Sequence, residues 1–318
     1  MSHSRQGHRR VSTCPSVFIR VYRWFPPFLA MNIALHTSAY SDHPLEHALS
    51  CVSEAGYRFV EIAADLTESR HFEAHCASPG DVTRLDRQLR DQTLSLVAVD
   101  IGGWDPELCI ANLDEVSRRT TVENVGHALT VADDLGCHLV TAHLWGLPSE
   151  GSRDRPDAFR EPFLRSIAEL SGTLDRSRVN LNLMPHPGGF IETSNPTVDL
   201  IREAAHPQVG YTFGTSHAFV IAQGSQTAEE MIRYAGETLT HVLISDTHHV
   251  ERIIAPPEVK AHEHTVPGSG DVDFSSIVAT LLDIDYDGVL CVHLISERDR
   301  IDRAARRTKD LIEEWIDA

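Results

Sequence analysis

The sequence predicts an α/β fold, a single (β/α)8 TIM barrel, on three observations. Apolar, β-branched runs alternate eight times with stretches of helical period. Helix stop and strand start recur as one cassette in EAGYRFVEI, DLGCHLVTA and DYDGVLCV, where a glycine past the helix end supplies a left-handed cap. The length, 318 residues, suits one barrel of about 250 residues with some additions. No Gly-rich phosphate fingerprint follows the first apolar run, which argues against a dinucleotide-binding sheet.

Taken in order, the predicted strands are 31–36 (MNIALH), 58–62 (RFVEI), 95–100 (SLVAVD), 138–143 (HLVTAH), 179–184 (VNLNLM), 209–214 (VGYTFG), 241–245 (HVLIS) and 289–294 (VLCVHL). Each is a short run bounded by turn residues, as a strand buried on both faces requires. The amphipathic stretches between them predict helices at 44–55, 80–93, 114–135, 159–176, 196–205, 226–236, 272–284 and 297–316. Residues 31–318 form the barrel on this reading.

Residues 1–30 do not share the pattern. They hold five arginines and no acid, and then Met31 opens a clean apolar strand. The cluster VFIRVYRWFPPFLA lacks the long apolar core and small-residue cleavage site of a signal peptide. The expectation is an N-terminal extension that is disordered or not native, with Met31 as the true start; a targeting segment is the alternative.

Acidic residues exceed basic ones by 46 to 28, and the formal charge of −18 repels a phosphate backbone. Nucleic acid and membrane are therefore not expected partners; a small-molecule substrate is, with a homodimer as one option. The six cysteines are scattered without a C-x-x-C pair and fall in apolar runs, which reads as buried free thiols in a reducing cytoplasm.

In a barrel of this kind the chemistry lies where strands end and βα loops begin. There the segments LNLMPHPGGF, VGYTFGTSHA, THVLISD, HTVPGSGDVDF and YDGVLCVHL resemble, in order and spacing, the signatures of the xylose-isomerase-like sugar isomerases and epimerases. The resemblance runs from about Met31 to the end. It implies a glutamate, an aspartate, a histidine and a glutamate at the ends of strands five to eight, holding one divalent metal, with the two glutamates moving the proton. The matching positions here are Met184, Gly214, Leu243 and His293. None of the four implied ligands is present, yet the flanking Pro185, Gly188, His217, Asp246, Pro267, Gly268 and Gly270 are. A thioether, a hydrogen and an isobutyl group offer no ligand to Mg²⁺ or Mn²⁺.

Histidine is plentiful, at 19 residues, and His36, His143, His186, His217, His248, His249 and His293 fall at or near predicted strand ends. The first functional reading is acid and base catalysis without a metal or other cofactor, with His293 in place of a catalytic glutamate and His143, His186 and His217 at the same mouth. Asp246 then orients an imidazole or binds a substrate hydroxyl, or it simply caps its loop. Without a metal the substrate proton must already be acidic, or donors such as His143 and His217 must hold the oxyanion. That favours an activated carbonyl compound undergoing isomerisation, epimerisation, cyclisation or elimination. Glu61 resembles a substrate-contact acid or caps a loop, Met184 lines the substrate site, and Trp104 and Trp145 form flat walls for a ligand or pack their loops.

A second reading moves the metal. His262 and His264 form an H-x-H pair, and in the abasic-site endonucleases of the same superfamily the matching loop shares a zinc with the counterpart of His217. His217, His262 and His264 would hold Zn²⁺ in three positions and leave one open to water, for hydrolysis or isomerisation. The third reading is a barrel that binds a ligand without turning it over.

Overall fold

The computed structural model describes residues 31–64, 71–102, 108–144, 156–222, 225–249, 253–254, 259–260 and 262–318. The predicted extension at 1–30, and Trp104 and Trp145, lie outside the described residues. Eight parallel strands close into a barrel: β1 (Asn32–His36), β2 (Phe59–Ala63), β3 (Ser95–Asp100), β4 (Leu139–His143), β5 (Asn180–Met184), β6 (Val209–Gly214), β7 (Leu239–Ile244) and β8 (Val289–Val292). Each pairs with its neighbours in sequence, and β8 closes on β1 with Asn32 opposite Val289 and Leu35 opposite Val292. The helices are α1 (Leu45–Glu54), α2 (Pro79–Asp91), α3 (Glu115–Asp134), α4 (Arg160–Leu174), α5 (Ser194–Ala204), α6 (Thr215–Ala222), α7 (Ala228–Ala235), α8 (Phe274–Asp283) and α9 (Ile301–Asp317).

All eight predicted strands and all eight predicted helices are present, with ends shifted by a few residues. α6 is an addition. Its sequence, TSHAFVIA, is too apolar all round to show a polar stripe, so periodicity does not announce it. Beyond Ile244 the β7–β8 connection also carries a small antiparallel hairpin, Ile253–Ile254 with Val259–Lys260.

The outward strand residues, among them Leu35, Val60, Ile62, Val140, Leu183, Phe213, Val242 and Leu290, are fully buried beneath the helices. Alternation sends the intervening residues inward. There Ala34, Val97, Met184, Leu243, Val289 and Cys291 form a second, smaller apolar cluster. The interior is not purely apolar, because Glu61, Asn182, Thr212 and His241 also lie inside without exposure. No helix among the described residues is long and apolar enough to cross a membrane.

The glycine cassette holds in two of three places. Gly56 and Gly136 take left-handed backbone (φ +86° and +67°), which a Cβ would strain. In DYDGVLCV, however, Asp285 is the left-handed residue (φ +53°). Gly288 is required for another reason: a Cβ there would stand 2.4 Å from the Tyr286 hydroxyl and 2.8 Å from the Thr240 carbonyl oxygen. The cysteines also need correcting in part. Cys109, Cys137 and Cys291 are buried and free, whereas Cys76 is exposed and Cys51 half-buried.

Candidate functional site

The ends of the strands carry a closed circuit of rings. His36 ends β1, and its centroid lies 4.7 Å from that of His293, just past β8. His293 lies 4.5 Å from His264, His264 5.3 Å from His217 on α6, His217 4.5 Å from His186 after β5, and His186 5.8 Å from His143 at the end of β4. Asp100, the last residue of β3, completes the circuit: its carboxylate is 3.3 Å from His143 Nε2 and 3.2 Å from His36 Nε2. His262 leans over one side, 4.6 Å from His217 and 5.5 Å from His186.

The two sides of this mouth differ electrically. On the Asp100 side, His36 Nδ1 accepts from the Ser38 backbone N–H at 3.2 Å, so its Nε2–H is the donor to Asp100. Burial by itself would raise the Asp100 pKa, but His143 and His36 outweigh it and hold the carboxyl well below its usual range. Asp100 also accepts from the Gly102 N–H at 2.7 Å. Gly102 is a matter of space as well: a Cβ there would fall 2.5 Å from the His143 ring.

On the far side, apart from burial, the charged groups that shift His186, His217 and His264 are other histidines. Burial, then the charge of neighbouring histidines, pushes His186 and His217 well below the ordinary imidazole range. His264 shifts the same way, through burial first and then His293 and His262, with its Nδ1 2.9 Å from the Ser245 hydroxyl. His293 is lowered chiefly by burial, then by His36, with Asp100 opposing. These rings are neutral near pH 7.

Of the residues singled out in the sequence, His143, His186, His217 and His293 are brought together as expected, and His262 and His264 join them. Three readings need correction. Asp246 is fully buried and accepts four backbone N–H groups, from Thr247, Gly268, Gly270 and Val272 at 2.7–3.1 Å. It builds its loop, and its carboxylate is committed there rather than to an imidazole. Glu61 does not cap a loop: it lies inside the barrel just below the mouth, its Oε2 2.8 Å from His241 Nε2 with neither side chain exposed, and its carboxylate comes within 4.8 Å of ligand atoms of His36 and Asp100. Burial raises its pKa, but the charge and hydrogen bond of His241 overcome this and lower it. Met184 is likewise unexposed, within the interior apolar cluster. His248 and His249 are exposed and do not join the mouth. Asp100 is the residue the sequence reading missed; its signal was an acid ending an otherwise apolar strand.

The position of the family's metal does not fit one. A Cβ built on Gly214 would lie 3.3 Å from Met184 Sδ and 3.2 Å from His217 Nδ1, so the space of the implied aspartate is taken by a thioether and an imidazole. Leu243 packs against the same cluster. No hard oxygen ligand faces this point from strands five to eight.

Comparison with known proteins agrees with this architecture. The model of the xylose isomerase-like TIM barrel family matches residues 49–316. An uncharacterized protein of Methanocaldococcus jannaschii is 22% identical over 292 residues, covering 91% of this chain and 90% of its own. The rhizopine catabolism protein MocC of Rhizobium meliloti is 26% identical over 273 residues, covering 79% and 74%. Among solved structures, a D-tagatose 3-epimerase-like protein superposes with a TM-score of 0.73 at 18% identity, over 90% of this chain and 97% of its own.

Proposed function

Because the chain belongs to the xylose isomerase-like TIM barrel family, we propose that it is an isomerase- or epimerase-like enzyme that moves a proton on a small polar carbonyl compound, using histidine where its relatives use the metal-bound glutamates. One observation carries this reading. His293, at the position matching a catalytic glutamate, is a neutral, buried imidazole whose Nδ1 has no hydrogen-bond partner, and it adjoins the His36–Asp100 pair.

A neutral imidazole with a free lone pair is a base near pH 7. On taking the substrate proton, His293 becomes a cation beside an ionised Asp100, which stabilises it across the His36 ring. The same ring returns the proton to the neighbouring carbon for isomerisation; epimerisation requires a second acid on the opposite face of the substrate. The developing oxyanion needs a donor, and the His143 ring can offer one only from the nitrogen that does not face Asp100. The residues at the family's position, Met184, Gly214 and Leu243, offer no ligand to a Lewis acid, so the reading favours substrates whose C–H is already acidic, such as 1,3-dicarbonyl compounds.

The test is solvent exchange. Chelator-treated protein in D₂O is incubated with a panel of small hydroxyketones and 1,3-dicarbonyl compounds, and deuterium entry is followed by proton NMR. His293→Gln is expected to slow exchange by roughly 10²–10⁴-fold, the usual worth of a positioned acid or base. Exchange at the wild-type rate in that variant contradicts the assignment.

A further inference from the structure

We propose that Glu61, His241 and Cys291 form a closed site for one divalent ion of the zinc class inside the barrel, below the mouth and below the position at which the family holds its metal. Glu61 lies on β2, His241 on β7 and Cys291 on β8, and one ligand atom of each lies within 4.8 Å of the others. Zinc bonds of about 2.0–2.3 Å in a tetrahedron place donors about 3.3–3.8 Å apart, so small side-chain rotations draw these atoms onto one ion. His241 and Cys291 each stand two residues before a position matching a family ligand, Leu243 and His293, and strand alternation therefore puts them one inward layer deeper.

Two further observations point to a cation. All three residues are without exposure, yet Glu61 Oε1 and His241 Nδ1 have no hydrogen-bond partner, a costly arrangement away from water that coordination relieves in part. The ligands also have a clear line to one another. On β1, which runs between β2 and β8, Ala34 stands opposite Cys291 and belongs to the same inward cluster. Its methyl group is too short to separate Glu61 from the two residues beyond.

The chemistry of the set selects the ion. A carboxylate, an imidazole and a thiolate suit Zn²⁺ or Co²⁺ and not Mg²⁺ or Ca²⁺. The carboxylate and the thiolate balance a divalent ion, so the loaded site adds no net charge to an interior where charge is costly. Glu61 supplies both oxygens, which brings the donor atoms to four and closes the coordination without water. On binding, the Cys291 thiol proton leaves to solvent as the metal–sulfur bond forms, and the His241 ring stays neutral with its proton on the unbound nitrogen. His36 and Asp100 also approach Glu61, but they are already paired with each other and lie on its mouth side. An ion here ties β2 to β7 and β8 across the closure of the barrel, a structural role.

This inference does not depend on the proton-transfer reading, and its test uses no substrate. The full chain is produced in zinc-poor medium supplemented with Co²⁺, freed of loosely held metal with chelator, and examined for retained cobalt and for the near-ultraviolet absorption of a thiolate bound to cobalt. The expected result is one cobalt per chain that the chelator does not remove, together with that absorption. Loss of even an outer partner weakens a metal site by about 10–100-fold, so Cys291→Ser and Glu61→Gln are each expected to lower retained cobalt by more than about tenfold and to remove the absorption. Cys51→Ser and Cys76→Ser, at the half-buried and the exposed thiol, are expected to keep both. Circular dichroism checks each fold, and Glu61→Gln, which preserves the size of the side chain, decides the matter if Cys291→Ser does not fold. Absence of the thiolate absorption in the wild type overturns the proposal, as does an absorption that survives Cys291→Ser or Glu61→Gln, or that is lost in Cys51→Ser or Cys76→Ser.

Discussion

The two halves of the barrel mouth use the same side chain under opposite electrical conditions. Around Asp100, imidazoles face a buried carboxylate whose ionisation they sustain; around His217, the charged groups that act on the ring are other imidazoles, and burial keeps it neutral. A histidine beside an anion is suited to carry a proton, and a histidine among histidines is suited to offer a lone pair. Residue type therefore does not assign a role here. The position of one aspartate does.

The contrast is broken most severely from below. Glu61→Ala leaves His241 buried without its hydrogen-bond partner, and an orphaned buried polar group costs about 1–3 kcal/mol. A urea midpoint should fall accordingly. If Glu61→Ala unfolds at the wild-type midpoint, the Glu61–His241 pair is not part of what supports the Asp100 side.

The halves also separate by pH. His186, His217, His264 and His293 have folded-state pKa values below those of the unfolded chain, so unfolding takes up protons below pH 6.5. Stability of the metal-free protein should decline as pH drops from 6.5, by up to about 1.4 kcal/mol per pH unit for each ring that stays neutral. Asp100 and Glu61 are shifted down as well, but for a carboxylate this gives stability that is present above about pH 4 and lost as pH falls through the folded values. Two distinct windows should appear in melting temperature against pH. A flat profile between pH 7 and 5 would mean that the far-side rings are not held neutral.

A milder variant sharpens the comparison. Gly102→Ala places a methyl group against the His143 ring, whose movement absorbs most of the clash, at a cost of about 1–3 kcal/mol. Solvent exchange should slow by roughly tenfold, the effect of about 1.4 kcal/mol in the barrier, while the loss of stability below pH 6.5 that the far-side rings impose stays unchanged. A change in both would show the two halves to be one unit.

The sequence by itself determined the strand and helix order, the inward and outward faces, the loss of the family's metal ligands and the supply of histidines at strand ends. All of these follow from local periodicity and from residue identity at motif positions. Tertiary structure alone decided the partnerships. Asp100 pairs with residues 64 and 43 positions away, Glu61 meets His241 across 180 residues, and His186, not the sequence-adjacent His264, completes a group with His217 and His262. α6, which carries His217, gave no periodic signal. These contacts depend on closure, register and tilt of the barrel, which bring strand ends from the whole chain to one mouth. Spacing along the chain carries no information about which of those ends will face each other.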